Sequence, residues 1–151
     1  MLTETIQKLF VRDLKKLHAE LSAYQQDEVI WHTEKAISNS AGNLCLHLVG
    51  NLNAFIGATL GNTGYIRNRD EEFSLKGLPK KELLEKVEAT IRMIQDVMPR
   101  LSELDLQAEY PLLVLAEKTS IEYFLVHLAA HLSYHLGQVN YHRRLLDQSI
   151  N

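Results

Sequence analysis

Histidines are the residues whose type and spacing suggest chemistry in this chain. His127, His131 and His135 follow one another at intervals of four residues. In an α-helix, residues four apart lie on one face and drift by only about 40° per step. We therefore predict that these three imidazoles, together with Gln138 and His142, form one polar stripe along a single helix.

A further histidine, His47, belongs to a second stripe with the same spacing. Asn43, His47 and Asn51 are again four residues apart, and the residues beside His47 are leucines. This apolar setting predicts a partly buried imidazole, which is unfavourable unless the ring finds a partner. Two interpretations stay open: His47 is a metal ligand, or it is a core histidine that hydrogen-bonds Asn43 or Asn51.

Together the two stripes suggest a metal site. An H-x-x-x-H pair on one helix can bind an ion with neighbouring side chains, and a third histidine from a facing helix leaves a coordination position open. His131 and His135 supply the pair, and His47 is the best third candidate. Neutral imidazole binds Zn²⁺, Ni²⁺, Fe²⁺ and Cu²⁺, so the ligand type does not select the metal. On pattern alone, a stripe of hydrogen-bonded core histidines explains the sequence equally well.

Four amphipathic segments are expected to position these side chains, because their apolar residues recur at helical spacing. The predicted helices span about residues 2–28, 40–60, 80–104 and 120–148. Ser38 or Ser40 is a suitable N-cap for the second helix, and Pro99 is expected to kink or end the third. The pattern predicts an all-α protein in which residues 1–151 form one four-helix-bundle domain.

Two connections between these helices carry signals of their own. The loop from Gly61 to Pro79 contains the charged run Arg67–Glu72, which is either a solvated surface or a lid whose Arg67 or Arg69 binds an anionic group. The apolar stretch between Asp105 and Lys118 predicts a brief strand or a cover over the end of the bundle.

Composition excludes several classes of function. The net charge is −3 and there is no basic block, so we expect no nucleic-acid partner. The single cysteine, Cys45, excludes an intramolecular disulfide and fits a reducing compartment. The sequence shows no signal-peptide pattern, and we find no stretch with the roughly 18 apolar residues of a membrane span. We therefore predict a cytoplasmic protein that does not span a membrane.

Three segments resemble the DinB-like, YfiT-related metalloenzyme superfamily. HLAAHLSYHLGQVNYHRRL resembles its C-terminal helix, NLCLHLVGNLNAFIG its second helix, and GYIRNRDEEF a loop of one sub-branch. The resemblance implies that His47, His131 and His135 are the metal ligands and that His127 matches an additional histidine one turn earlier. It also implies a bundle with up-down-down-up order that is often dimeric, which the long connection 61–79 would suit.

The chemistry that the resemblance implies is transfer or isomerisation with a low-molecular-weight thiol, or hydrolysis. Neither histidine stripe contains Asp or Glu, and position 132 is Leu, so the metalloprotease motif H-E-x-x-H is absent. This favours activation of a thiol, or hydrolysis without a protein base. Asn51 and Gln138 are candidates for orienting ligands or binding substrate. For Tyr134 we expect core packing, with a role as a wall of the site or a proton donor as the alternative.

The leading hypothesis is a metal-dependent enzyme with a three-histidine site for a divalent ion, Zn²⁺ or Ni²⁺ above others, acting on a small molecule as a thiol transferase or a hydrolase. One alternative is a non-catalytic metal-binding or ligand-binding helical module. Another is a plain helical protein whose histidines only hydrogen-bond. The face of the last helix around Ala129, Ala130, Ser133 and Gly137 carries small residues, and we predict a homodimer.

Overall fold

The structure is a computed structural model that describes residues 1–148. Its regular secondary structure is helical, as the apolar periodicity predicted. The α-helices are α1 (Leu2–Ser22), α2 (Ala41–Leu52), α3 (Thr59–Gly61), α4 (Arg69–Ser74), α5 (Lys80–Val97), α6 (Glu103–Gln107) and α7 (Ile121–Leu146).

Helix α1 is shorter than predicted and ends at Ser22 rather than near residue 28. The backbone N–H groups of Gln25 and Gln26 donate to the carboxylate of Asp147, at 2.7 and 3.1 Å. This contact with the end of the chain draws the backbone out of the helix, and a 3₁₀ turn, Asp27–Trp31, follows. The local pattern favoured a continued helix, but a long-range hydrogen bond decided where it ends.

Helix α2 begins where the sequence predicted. Ser40 caps it by accepting a hydrogen bond from the backbone N–H of Asn43 at 3.2 Å. The helix continues through a π-helical segment, Asn53–Ala58, into α3, so the segment predicted at 40–60 is confirmed as helical. Every residue of α2 is buried, which makes it the central helix of the molecule.

The segment Ala41–Gly61 corrects one expectation. It is long and apolar enough to cross a membrane by length and composition, although we predicted that no stretch would be. However, 67% of its most apolar window is buried inside the protein, which is the behaviour of a core helix. Its apolar residues pack against neighbouring helices instead of needing lipid.

Helix α5 also ends earlier than predicted, at Val97 instead of residue 104. Pro99 lies in the following 3₁₀ turn, Met98–Arg100, so the expectation that it would end the helix is confirmed. Helix α6 then starts from a capping box between Ser102 and Asp105.

The stretch between α6 and α7 forms no strand. Within residues 1–148, its β pairing is limited to one isolated antiparallel bridge between Glu109 and Ser120. Ser120 also caps α7, and that helix ends at Leu146, two residues before the predicted boundary.

Packing brings the two polar stripes together. Helix α1 contacts α5 and α7, while α2 contacts α4, α5 and α7. The buried leucines of these helices, including Leu48, Leu52, Leu128 and Leu132, form a single core. Because α2 and α7 are neighbours in this core, the stripe that contains His47 faces the stripe that contains His131 and His135.

Candidate metal centre

Three histidines from α2 and α7 converge on one point. The Nε2 atom of His131 lies 3.2 Å from Nε2 of His47 and 3.1 Å from Nε2 of His135. One ring nitrogen of each lies within 4.8 Å of the other two. Metal–nitrogen bonds of about 2.0–2.1 Å place neighbouring nitrogens about 3.3 Å apart around a tetrahedral ion and about 3.0 Å apart around an octahedral one. The cluster therefore has the dimensions of a site that could hold one ion.

Hydrogen bonds on the far side of two rings determine where their protons lie. The Nδ1 atom of His47 is 3.1 Å from Glu72 Oε1, and Nδ1 of His135 is 2.7 Å from Gln138 Oε1. Both partners are acceptors, so each Nδ1 donates a proton and each Nε2 presents a lone pair. His131 Nε2–H could form a good hydrogen bond with only one of these lone pairs at a time. A cation can satisfy all three nitrogens, which a hydrogen-bonded stripe cannot.

Burial favours the neutral form of the two cluster histidines on α7. Burial first, and then the neighbouring His135 and His47 rings, together lower the pKa of His131 to about 4. Burial also lowers the pKa of His135, against the opposing effect of its hydrogen bond to Gln138. Both side chains are therefore unprotonated near pH 7, and the neutral imidazole is the form that binds metals.

Glu72 is a functional candidate that the sequence did not reveal. It lies on α4, and the residue is only 5% exposed. Arg67 binds its carboxylate as a fork, with Nε–Oε2 at 2.8 Å and Nη2–Oε1 at 2.9 Å. Burial raises the pKa of Glu72, but the hydrogen bonds from His47 and Arg67 outweigh burial, so the net pKa is lowered. Glu72 is thus an ionised carboxylate that orients the His47 ring.

Helix α2 has a surface shaped for this carboxylate. Gly50, three residues after His47, faces Glu72, and any side chain at this position would collide with the carboxylate oxygen. Asn43 donates from Nδ2 to the backbone carbonyls of Glu72 and Leu75, both at 2.9 Å. Asn43 therefore attaches the C-terminal end of α4 to α2 and does not bond His47. Gly50 was the one sequence signal that could have pointed to a close approach here.

The two arginines of the loop have different positions. Arg67 is half-buried, and its guanidinium lies 5.5 Å from the centre of the Phe55 ring in addition to binding Glu72. Arg69 is exposed at the start of α4. The charged run Arg67–Glu72 is thus not a fully solvated surface, because Glu72 within it is buried. The anionic group that Arg67 meets belongs to this chain.

The remaining candidates surround the cluster without joining it. The His127 ring stacks between Phe124 and His131, at 5.9 and 6.4 Å between ring centres, and is outside the group of possible ligands. Tyr134 is 65% exposed, which excludes core packing, and its ring lies 5.2 Å from that of His135. Gln138 is exposed and bonds His135.

Two buried polar atoms at the site lack partners among residues 1–148. They are Oδ1 of Asn51, an acceptor, and Nδ1 of His131, which carries a proton whenever Nε2 presents its lone pair. Asn51 lies one turn after His47 on the same stripe. One interpretation of the sequence expected it to hydrogen-bond the His47 ring, but the ring contacts Glu72 and His131 instead. Buried atoms of this kind are normally satisfied by ordered water.

His142, on the same stripe of α7, has a different role. It is buried, its Nδ1 accepts from the Tyr24 hydroxyl at 2.7 Å, and its Nε2 donates to the His32 carbonyl at 2.8 Å. Both ring nitrogens are therefore occupied by the chain itself. His142 joins α7 to the end of α1 and to the connection that follows.

Comparison with known families adds one finding. A family model described as "Protein of unknown function (DUF1572)" matches residues 2–150, a range that includes both helices of the histidine cluster. No curated protein matches the chain. The chain therefore belongs to the DUF1572 family, which falls in the DinB/YfiT-like fold group.

Proposed function

We propose that this protein is a metal-dependent enzyme in which His47, His131 and His135 bind one divalent ion, Zn²⁺ or Ni²⁺, beside a site for a small molecule. The observation that carries the proposal is the convergence of their Nε2 atoms at 3.1 and 3.2 Å. A divalent ion in such a site lowers the pKa of a water or thiol that it ligates. The resemblance to DinB-like metalloenzymes supports the same ligand set.

Glu72 and Arg67 position His47 in this proposal. The carboxylate contacts Nδ1, on the opposite edge of the ring from Nε2, so it orients the ligand and raises its basicity. Arg67 balances the negative charge and keeps Glu72 in place. Both carboxylate oxygens are hydrogen-bonded to His47 or Arg67, which favours a positioning role for Glu72 over proton transfer with a substrate.

The absence of another base favours thiol chemistry over hydrolysis. Among residues 1–148, Glu72 is the only carboxylate that hydrogen-bonds any of the three histidines. A thiol has an ordinary pKa of about 8.5, far below that of water, and loses its proton to solvent without a protein base once the ion lowers that value. We therefore favour S-transfer: the sulfur of a low-molecular-weight thiol attacks an electrophilic carbon, and the leaving group departs with its bonding electrons. Hydrolysis of a small molecule is the second reaction class.

Cys45 is not the thiol of this reaction. It is buried in α2, and burial raises its pKa to about 12. The protein therefore supplies no nucleophilic sulfur from this residue, and the thiol must be a separate small molecule. A reduced thiol pool is typical of the cytoplasm, which is where we propose that the protein acts.

We extend the proposal to the number and order of the helices in the bundle. Four long helices, α1, α2, α5 and α7, contribute the core, and the connection of residues 62–79 joins α2 to α5. That connection is long enough for two successive helices to run in the same direction. We therefore assign a four-helix bundle with up-down-down-up order, in which α2 and α7 hold the metal.

The test is an assay of protein prepared without an affinity tag and loaded with Zn²⁺ or Ni²⁺. The panel contains pairs of thiols and electrophiles, together with esters and amides. We expect metal-dependent turnover that is lost in His47→Ala and kept in His18→Ala, since His18 lies on α1 and pairs with Glu88. Equal turnover in His47→Ala and the wild type would contradict the proposal.

The same assay separates an enzyme from a binding module. If the protein binds one ion per chain and the ion is lost in His47→Ala, but no substrate in the panel is turned over, the non-catalytic module is favoured. If thiol pairs react and esters and amides do not, the transferase assignment is favoured over hydrolysis.

A further inference from the structure

A cavity lies between the N-terminal end of α2 and the C-terminal half of α7, next to the histidine cluster. Its volume is about 330 Å³, at the lower end of the range for small-molecule sites. Its lining includes Leu44, three residues before His47 on α2, and Gln138, three residues after His135 on α7. Three residues span about 4.5 Å along a helix, so the cavity begins close to the predicted metal ligands. We call it the Gln138 cavity.

The walls of the Gln138 cavity carry no charge. None of the residues that line it is Asp, Glu, Lys or Arg, whereas four other surface cavities each have such a residue in their lining. Burial lowers the pKa of His142, which also lines it, and both nitrogens of that ring already have partners in the chain. A charged ligand group would lose its water here without meeting an opposite charge. The apolar part of the lining comes from Ala36, Ile37, Leu44 and Leu145.

The polar groups of the cavity donate and accept hydrogen bonds without carrying charge. Gln138 accepts from Nδ1 of His135 through its Oε1 atom at 2.7 Å, which leaves the two N–H groups of its amide for other acceptors. Ser38 and Tyr141 are exposed at the rim and add two hydroxyls. A few polar groups in a mostly apolar wall are typical of sites that bind and orient a small molecule. A carbonyl oxygen matches these donors, and an apolar body matches the walls.

We propose that the Gln138 cavity binds an uncharged carbonyl compound, and that this compound is the electrophile that receives the sulfur at the metal centre. The second part of the proposal rests on the function proposed above. A carbonyl group withdraws electrons and makes the carbon next to it electrophilic, so the group that Gln138 recognises lies beside the carbon that reacts. Because Gln138 also bonds His135, it would position the electrophile relative to the ion.

The first test measures binding to the metal-free protein by NMR, with three ligands of nearly equal size. Benzamide is neutral, benzoate is an anion and benzylammonium is a cation. We expect benzamide to bind with a Kd on the order of 1 mM and to shift the backbone amide signals of residues 36–39 and 138–145. Each ion should bind at least about tenfold more weakly. Equal or tighter binding of either ion, shifts confined to other residues, or no binding of benzamide at about 10 mM would overturn the proposal.

Two variants test whether the ligand lies in the cavity. Ala36→Trp fills the space from an exposed position and should abolish the binding of benzamide, whereas Ala19→Trp, at an exposed position of α1, should bind it as the wild type does. Leu145→Asp places a negative charge at the exposed edge and should tighten the binding of benzylammonium several-fold. Leu104→Asp, at another exposed leucine, is its control. Unchanged benzamide binding in Ala36→Trp, or equal effects of the two aspartates, would overturn the assignment of the site.

A third measurement separates this inference from the proposed function. Co²⁺ is paramagnetic and binds imidazole, so in the cobalt-loaded protein it should broaden the proton signals of benzamide bound beside it. Benzamide that binds as expected without this broadening would overturn its assignment to the metal centre. If the protein binds no metal, the proposed function fails, and the two binding tests still decide whether the cavity takes an uncharged carbonyl compound.

Discussion

Helix α7 holds histidines in two places, and their ring nitrogens are hydrogen-bonded in different ways. At its C-terminal end, both nitrogens of His142 are occupied, one by the Tyr24 hydroxyl and one by the His32 carbonyl. Near its middle, His131 and His135 turn their Nε2 atoms towards each other and towards His47. The two groups share a helix, a residue type and a polar stripe, yet only the second leaves lone pairs without a donor.

The pKa values do not distinguish the two groups, because burial lowers the pKa of His142 as it lowers those of His131 and His135. What distinguishes them is which atom each ring nitrogen contacts. A histidine with two partners from its own chain stabilises the fold, whereas histidines whose Nε2 atoms point at one another without a donor for each can bind an ion. Substitutions at the two places should therefore have separable effects on metal content and on stability.

The largest effect is expected at the cluster. His131→Ala removes the central nitrogen, and we expect metal content to fall from about one ion per chain to almost none. His142→Ala should keep its ion, because its nitrogens are not part of the cluster. Elemental analysis of both variants checks this contrast. Equal metal loss in the two variants would show that the two groups do not differ in function.

The reverse contrast concerns stability. His142→Ala leaves the Tyr24 hydroxyl and the His32 carbonyl without their partner and opens a cavity beside them. We expect the free energy of unfolding to fall by about 3 kcal/mol. His131→Ala should cost the metal-free protein less, since His131 Nδ1 has no partner within residues 1–148. Urea denaturation of the two metal-free variants measures the difference, and an equal loss would contradict the structural role of His142.

A smaller effect is expected from the residue that positions His47. Glu72→Gln keeps an acceptor for His47 Nδ1 but removes the negative charge that Arg67 also binds. We expect the dissociation constant for the metal to rise about 10–100-fold. Glu71→Gln, at the exposed neighbouring position, is the control and should bind as the wild type does. Isothermal titration calorimetry with Zn²⁺ measures the two dissociation constants. Equal values for the two variants would contradict the role of Glu72 in positioning His47.

The smallest effect is a pH dependence of the metal-free protein. Burial and the neighbouring imidazoles lower the pKa of His131 from 6.5 to about 4, so between these values the unfolded chain binds a proton that the folded protein does not. The free energy of unfolding must therefore fall as the pH falls through this window. The His131→Gln variant lacks this contribution to the pH dependence. The contribution of His142 is the same in the wild type and in the variant. Urea midpoints should drop less steeply with acid in the variant, and parallel curves would show that His131 does not contribute.

Sequence spacing located the helices and made the three histidines candidates, since helical periodicity is local and the stripes on α2 and α7 are regular. Spacing alone did not separate a metal site from a hydrogen-bonded stripe; the resemblance to a known family made that choice. Glu72 could not be identified in this way. Its contact with His47 spans 25 residues, and it lies in a charged run whose other members are largely exposed. The same limit applies to the end of α1, where Asp147 binds Gln25 and Gln26 across the molecule. Long-range hydrogen bonds leave no periodic pattern in the sequence.

The most direct test of the account is a crystal grown without added metal, with anomalous scattering recorded at several absorption edges. We predict one peak per chain, at about 2.0–2.2 Å from the Nε2 atoms of His47, His131 and His135. The edge at which the peak strengthens would identify the metal. No peak at this position, or a peak bound by other atoms, would contradict the assignment of the cluster as a metal centre.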